Sequence, residues 1–313
     1  MFRDYLAASI NNSAGWKILR NRGRARALVS LQISCIFKSR LDLFLSGSWV
    51  PEPNIPESSY AVSLTSWGAR LPDLPLVLIS LLHQSVRPSA IHVWVSVEDR
   101  NSLDQFLINR FSSYVVHFET CDNLGPHTKW LPMIERGARE PFVICDDDIL
   151  YPRRWMESLI REDRSDAYVG TRCHRIQYDS NGYPLPYSNW KHDIAWDGSS
   201  SDHIFVTACA GAIIHPERIG TEFLDRKRIM EHAPKADDIW LKVAHAVAGI
   251  PCYKTRFSFP CLEIPGTGAS SLMQTNVDAG GNDRQLAAVK HWLRKGRFDP
   301  SFSGDSGKHE FTN

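Results

Sequence analysis

Three consecutive carboxylates, Asp146-Asp147-Asp148, follow the apolar run Pro141-Phe142-Val143-Ile144-Cys145 and precede Ile149-Leu150-Tyr151-Pro152. Adjacent carboxylates repel one another and are tolerated where a cation neutralises them, and hard divalent cations prefer oxygen ligands. An apolar run that ends abruptly in carboxylates reads as a buried strand stopping at a polar edge. Open α/β sheets bind ligands just beyond the carboxyl ends of their strands, and a metal held there would suit a diphosphate. The bland alternative is a solvated acidic turn punctuated by Pro152. Short acidic runs are common in loops, so the motif alone leaves the two readings level.

A second acidic element is Asp237-Asp238 in Lys235-Ala236-Asp237-Asp238-Ile239-Trp240-Leu241. Ile239, Val243, Ala244, Ala246 and Val247 recur at helical spacing. The two aspartates therefore open the helix, where the macrodipole favours carboxylates. Taken alone this is capping. Taken with the first cluster it describes an enzyme, with one carboxylate group for a metal and another for proton abstraction.

The elements that must position these groups alternate from Tyr60 onward. Strands are expected at 61–65, 91–95 and 114–118, and in the run ending at Asp146. Helices are expected from an Asp73 cap through 74–82, and over 103–111, 129–138 and 153–161. Alternation with short links predicts an α/β fold with a mainly parallel sheet covered on both faces. Ile204-Phe205-Val206 reads as a strand followed by the small residues Ala208-Cys209-Ala210-Gly211-Ala212. These either admit a sugar to the backbone or make a tight packing site. The loop from Tyr178 to Ser201 carries Tyr183, Tyr187, Trp190 and Trp196, and suggests an acceptor platform or lid, against a loop packed on its own aromatics. Neither GxGxxG nor GxxxxGK[ST] occurs, which counts against dehydrogenases and P-loop kinases.

The net charge of +1 over 313 residues gives no argument for nucleic acid. The charge is uneven, however. Eight basic and two acidic residues give residues 1–50 a charge of +6. With Leu28, Val29, Leu31, Ile33, Ile36 and Phe37, this segment is either a helix lying on an anionic membrane or a helical extension packed on the main domain or an oligomer partner, the second being preferred. Residues 46–59, rich in proline and serine, read as a linker. The expected organisation is a basic helical extension over 1–50, a catalytic domain over 51–295 and a polar tail over 296–313. No apolar stretch is long enough for a membrane span, and the start lacks the pattern of a signal peptide. Seven scattered cysteines without a CxxC pair suit a reduced, cytoplasmic protein.

Between about residue 60 and residue 290 the chain resembles GT-A type nucleotide-sugar glycosyltransferases, particularly bacterial enzymes that build surface polysaccharides such as capsule and lipopolysaccharide. Four segments carry the resemblance: Ser63-Leu64-Thr65-Ser66-Trp67 with the helix ending His83-Gln84-Ser85; Leu124-Gly125-Pro126-His127-Thr128-Lys129; Asp146-Asp147-Asp148-Ile149-Leu150-Tyr151-Pro152; and Ala236-Asp237-Asp238-Ile239-Trp240-Leu241. The resemblance implies a GT-A-like fold and a DxD element, Asp146 and Asp148, that binds Mn²⁺ or Mg²⁺. It implies a donor site for a nucleoside-diphosphate sugar, UDP-sugars favoured, drawn from Thr65, Ser66, Arg70, Asp99, Lys129, Asp146 and Asp147. The later acidic pair matches the family's Glu/Asp-Asp element, so Asp238 is expected to be the base of an inverting transfer, with Asp237 beside it. Trp190, Trp196 and Gly211 are the expected acceptor contacts, for a hydroxyl of a glycan or glycolipid. The second strand departs from the family by ending in Val95-Ser96-Val97-Glu98-Asp99 rather than an acidic-Gly-Ser turn.

Smaller expectations accompany these. Lys129 can serve the diphosphate as a point charge or start a solvated helix. Trp67 is expected in the core rather than stacked on a base. His215 or His291 can supply a further metal ligand. The rival classes are a metal-dependent sugar nucleotidyltransferase, for which Ser66-Trp67-Gly68-Ala69-Arg70 would be a poor phosphate loop, a metal-free glycoside hydrolase, and a catalytically silent sugar-binding scaffold.

Overall fold

Strand β1 (Ala61–Thr65) alternates its side chains between two layers, as the period of two requires. Val62 and Leu64 enter one core, and Ala61 packs against the other. β4 (Phe142–Ile144) does the same, with Val143 on the first side and Phe142 and Ile144 on the second. A sheet with two apolar faces needs cover on both. The computed structural model describes residues 23–265 and 280–295 and supplies that cover. The first core is closed by α1 (Gly23–Leu45), α2 (Leu74–Leu82) and α6 (Trp155–Arg161). The second is closed by α5 (Leu131–Glu135), α7 (Arg226–His232), α8 (Asp237–Val247) and α9 (Gly281–Lys295).

The remaining elements are β2 (Ile91–Val95), α3 (Val97–Ser102), α4 (Gln105–Ser112), β3 (Val116–Thr120), β5 (Tyr168–Arg175), β6 (Ser200–Ser201), β7 (Ile204–Ile214) and β8 (Cys252–Lys254). The eight-stranded sheet has the order β3-β2-β1-β4-β7-β5-β8-β6. β1 to β4 run parallel, β7 is antiparallel to both β4 and β5, β8 is parallel to β5, and β6 is antiparallel to β8. Six strands thus share one direction. The fold is mixed α/β with a mainly parallel sheet between helices, as the alternation implies.

Local differences have local causes. The expected strand at 114–118 begins two residues later, because Tyr114 closes a turn onto Phe111. The expected helix over 129–138 is a 3-10 turn, Gly125–Lys129, followed by the five-residue α5. Asp73 precedes α2 without a side-chain cap, and Pro75 in its first turn removes one of the donors a cap would serve. The strand read at 204–206 is an eleven-residue strand that runs through the small-residue segment. The N-terminal extension packs on the domain from residue 30 onward: Ile33, Phe37 and Phe44 are buried, and Arg110 donates to the Phe44 carbonyl at 2.6 and 2.8 Å. Residues 1–22 and the 296–313 tail lie outside the described residues.

Register sets the functional edge. Ser63 lies opposite Ile144, so Ser66 and the acidic run leave adjacent parallel strands side by side. Ile144 also lies opposite Ala212 of antiparallel β7, so residues 208–211 continue past the end of β4 alongside the aspartates.

Candidate active site

The acidic run leaves β4 into a tight anchor. The Tyr151 hydroxyl accepts the Asp146 amide at 2.9 Å and donates to the Cys209 carbonyl at 2.7 Å. Trp155 Nε1 donates to the Ala210 carbonyl at 2.7 Å. On the other side, the Ala208 amide donates to Asp238 Oδ1 at 2.9 Å. Three successive residues of β7 therefore hold the acidic run and the start of α8 in one frame.

Two cations enter that frame. Arg70 Nη1 reaches Asp147 Oδ1 at 2.7 Å and Nη2 reaches Asp148 Oδ2 at 3.0 Å. Lys129 Nζ lies 2.5 Å from Asp146 Oδ1 and 3.1 Å from Asp237 Oδ2. Lys129 is buried, so the solvated reading of it does not hold; it joins the two acidic elements. Burial opposes its charge, but Asp146, Asp237 and Asp238 outweigh burial and hold its pKa well above the ordinary lysine value. Arg70 is aimed by its turn. The Gly68 amide donates to Asp99 Oδ1 at 2.9 Å, and the Asp99 amide caps onto Ser96 Oγ at 3.0 Å. Gly68 holds φ +39°, which few side chains adopt. Asp99 thus braces the loop that carries Arg70.

Five carboxylates face these two cations, a formal surplus of three negative charges. The cost shows in the acidities of Asp147, Asp148 and Asp238. Burial first, then Asp146, pushes Asp148 well above the usual carboxylate range against the pull of Arg70. Burial raises Asp147 despite Arg70. Burial, then Asp237, raises Asp238 well above the usual range, with Lys129 offsetting part. Asp147 Oδ2 and Ser66 Oγ are buried without a well-formed hydrogen bond among the described residues, although Ser66 beside Asp147 also pulls its pKa down. An unrelieved negative surplus with an orphaned carboxylate oxygen suits a divalent cation. No three His, Cys, Asp or Glu side chains among the described residues form a ready metal cage. A cation here would therefore take carboxylates such as those of Asp146 and Asp148 and complete its shell from ligand oxygens, a common pattern for Mg²⁺.

The other expected residues divide. Thr65 and Ser66 stand at the end of β1; Thr65 Oγ1 donates to the Trp94 carbonyl at 3.0 Å. Asp237 is buried against Lys129, and Asp238 is the more open of the pair. Gly211 serves packing: its φ is +101°, and a Cβ there would meet the Trp155 ring at 2.6 Å. Trp190 is a core residue packed on Tyr187 and Phe205, with its Nε1 donating to the Leu185 carbonyl. The loop thus packs partly on its own aromatics. Trp196 remains at the surface, bonded to the Tyr253 hydroxyl at 2.9 Å and stacked under Arg256. Trp67, expected in the core, is 46% exposed beside Arg70's turn. His215 bonds Asp163 at 3.0 Å, and His291 is exposed on α9; neither joins a metal-capable group.

Sequence reasoning missed Arg172, Asp193 and Cys209. Arg172 Nε reaches Asp193 Oδ1 at 2.6 Å, and Nη1 lies 3.3 Å from Thr207 Oγ1 and 3.7 Å from Cys209 Sγ. Asp193 has φ +50°, the only positive value outside glycine among the described residues. A lone arginine inside the run Tyr168-Val169-Gly170-Thr171-Arg172-Cys173 was the available signal.

Comparison with known proteins returned no matching family model and no match among curated proteins. Similar solved structures include a UDP-glucose pyrophosphorylase complexed with UDP-glucose (11% identity, 76% of this chain and 100% of that one, TM-score 0.36). They also include an inositol-1-phosphate CTP transferase from T. maritima (13%, 75% and 96%, TM-score 0.38). A third is a CMP:2-keto-3-deoxy-manno-octonic acid synthetase complexed with CTP (12%, 70% and 100%, TM-score 0.40). None of these three exceeds 13% identity or a TM-score of 0.40, too little to bear on what this chain does.

Proposed function

We propose that the chain is a cytoplasmic, metal-dependent glycosyltransferase that moves a sugar from a nucleoside-diphosphate donor to a hydroxyl of a glycan or glycolipid. The observation that carries this reading is the pairing of two acidic elements across Lys129 and β7, one at the sheet edge and one at the start of α8. The donor leaves as a nucleoside diphosphate, whose phosphates need positive charge. Arg70 and Lys129 supply fixed cations at the acidic run, and Mn²⁺ or Mg²⁺ held by Asp146 and Asp148 would supply Lewis-acid charge. Thr65, Ser66 and Asp99 shape the entrance to the same edge. Trp67, half exposed beside the Arg70 turn, is the aromatic side chain that a base would meet there.

The acceptor hydroxyl must lose a proton as it attacks. Asp238 is suited to accept it, because burial and Asp237 raise its proton affinity while the Ala208 amide fixes its orientation. Asp237, bound to Lys129, is a positioning partner. One direct displacement assisted by a base gives an inverted anomeric configuration. Surface-polysaccharide assembly is the process this reading fits.

Arg70 favours a second reading. It lies just after β1, where a phosphate-binding loop would sit, and turns into the acidic run from a glycine-containing turn. A sugar nucleotidyltransferase would place a triphosphate there. One experiment separates the two. A panel of sugar nucleotides with Mn²⁺ is followed by ³¹P NMR, with and without pyrophosphate. Glycosyl transfer or donor hydrolysis releases the nucleoside diphosphate. Nucleotidyl transfer run backwards releases the nucleoside triphosphate, and only with pyrophosphate. Absence of both products, together with no metal-dependent UDP binding by calorimetry, would leave a scaffold.

A further inference from the structure

We propose that the outward face of α1 docks on an anionic lipid bilayer. The helix has apolar residues on two opposite faces. Ile33, Phe37 and Phe44 turn into the domain, whereas Leu28 and Leu31 are 61% and 50% exposed, with Ile36 and Leu43 beside them. Positions 28, 31 and 35 repeat at three- and four-residue spacing, and Ile36 and Leu43 lie on the adjoining part of the same outward side. Packing on the domain therefore accounts for only half of this helix. The outward side also carries the exposed polar residues Gln32, Ser39 and Asp42, but four large apolar side chains exposed on one side of a helix still mark an interaction site.

The occupant follows from charge. Residues 1–50 carry +6 while the whole chain carries +1, so the remainder carries −5. Lys38 is exposed at the flank of the stripe. Exposed apolar side chains on a segment whose sequence carries this positive charge match a bilayer containing anionic lipid. A second copy would bring one +6 segment against another, which disfavours a self-association through this face. No helix among the described residues is long and apolar enough to cross a membrane, so α1 would lie on the surface rather than span it.

The helix is tied to the acidic edge. Ser30 Oγ donates to the Glu263 carbonyl at 2.5 Å, Glu263 pairs with Ile149, and the Ile264 amide donates to the Asp148 carbonyl at 2.8 Å. Docking would therefore anchor, through α1, the segment that is hydrogen-bonded to Asp148. The proposal holds for whichever reaction the site performs.

The test is flotation of the full chain with phosphatidylcholine vesicles, plain or containing about 30 mol % phosphatidylglycerol. The comparison variant is L28Q/L31Q/I36Q, which keeps the charge and the helix propensity and replaces only exposed side chains. Thermal melting checks that it folds. Wild type should float with the anionic vesicles and not with the plain ones, and about 0.5 M salt should release it. The variant's bound fraction should fall about tenfold or more. The proposal is overturned if wild type stays unbound, if it floats equally with plain vesicles, or if the variant floats as well as wild type. It is also overturned if sedimentation shows a wild-type dimer that the variant dissolves while neither floats.

Discussion

A single proton decides the character of Asp238. Its carboxyl binds that proton more tightly in the folded chain than in the unfolded one, first through burial and next through Asp237. The sign follows from linkage: where the native state binds more protons, stability falls as pH rises. Between the raised native value and the ordinary range near about 4, acidification should therefore stabilise the fold through this group. Asp238→Asn should flatten that part of the pH profile of urea midpoints and leave neutral-pH stability at or above wild type. On the proposed function the same variant should keep donor and metal binding and lose about 10²–10⁴-fold in turnover. Wild-type turnover, or product NMR showing retained configuration, would refute the assignment. Asp148→Ala should abolish metal-dependent UDP binding in calorimetry, with the fold intact by circular dichroism. Lys129→Met leaves Asp146 and Asp237 without their shared cation, and should cost about 3–5 kcal/mol. Adding Asp237→Asn should recover part of that loss, as read in a double-mutant cycle. The carboxylates were legible in the sequence because each cluster is contiguous. Their cations were not: Arg70 meets Asp147 across 77 residues, and Lys129 was as plausible on a solvated helix.

At the scale of elements, apolar alternation located β1 and β2 to the residue, since both strands are buried on two faces and bounded by turns. It fell short for β7. A run of alanine, cysteine and glycine carries little propensity, and only the neighbours β4 and β5 pin it as strand. The aromatic loop shows the same limit. Its composition suited an acceptor platform, yet Tyr187 and Trp190 are drawn into the core while Trp196 stays outside. Gly211 is where β7 yields to its neighbour. Its positive φ and the Trp155 ring at 2.6 Å from a would-be Cβ leave no room for alanine. Gly211→Ala should destabilise by about 2–5 kcal/mol in urea titration. Trp155→Phe in the same chain should relieve part of that cost, as expected for two touching groups.

For the whole molecule, the mainly parallel α/β layout was readable from alternation. No disulfide joins the described cysteines, so the melting temperature should not change when reductant is added; a drop of several degrees would reveal a crosslink. The uneven charge was equally visible, but not that α1 uses one face for the domain and leaves Leu28, Leu31, Ile36 and Leu43 exposed on the other. The largest consequence concerns β7. It meets Asp238, Tyr151 and Trp155 through main-chain groups of residues 208, 209 and 210, so these three contacts depend on the spacing of the strand rather than on the identity of those side chains. Length cannot vary in that way. One inserted residue would turn every following group of the strand to the opposite face. A lineage descending from this chain can exchange small side chains at these positions but should tolerate no insertion or deletion between them.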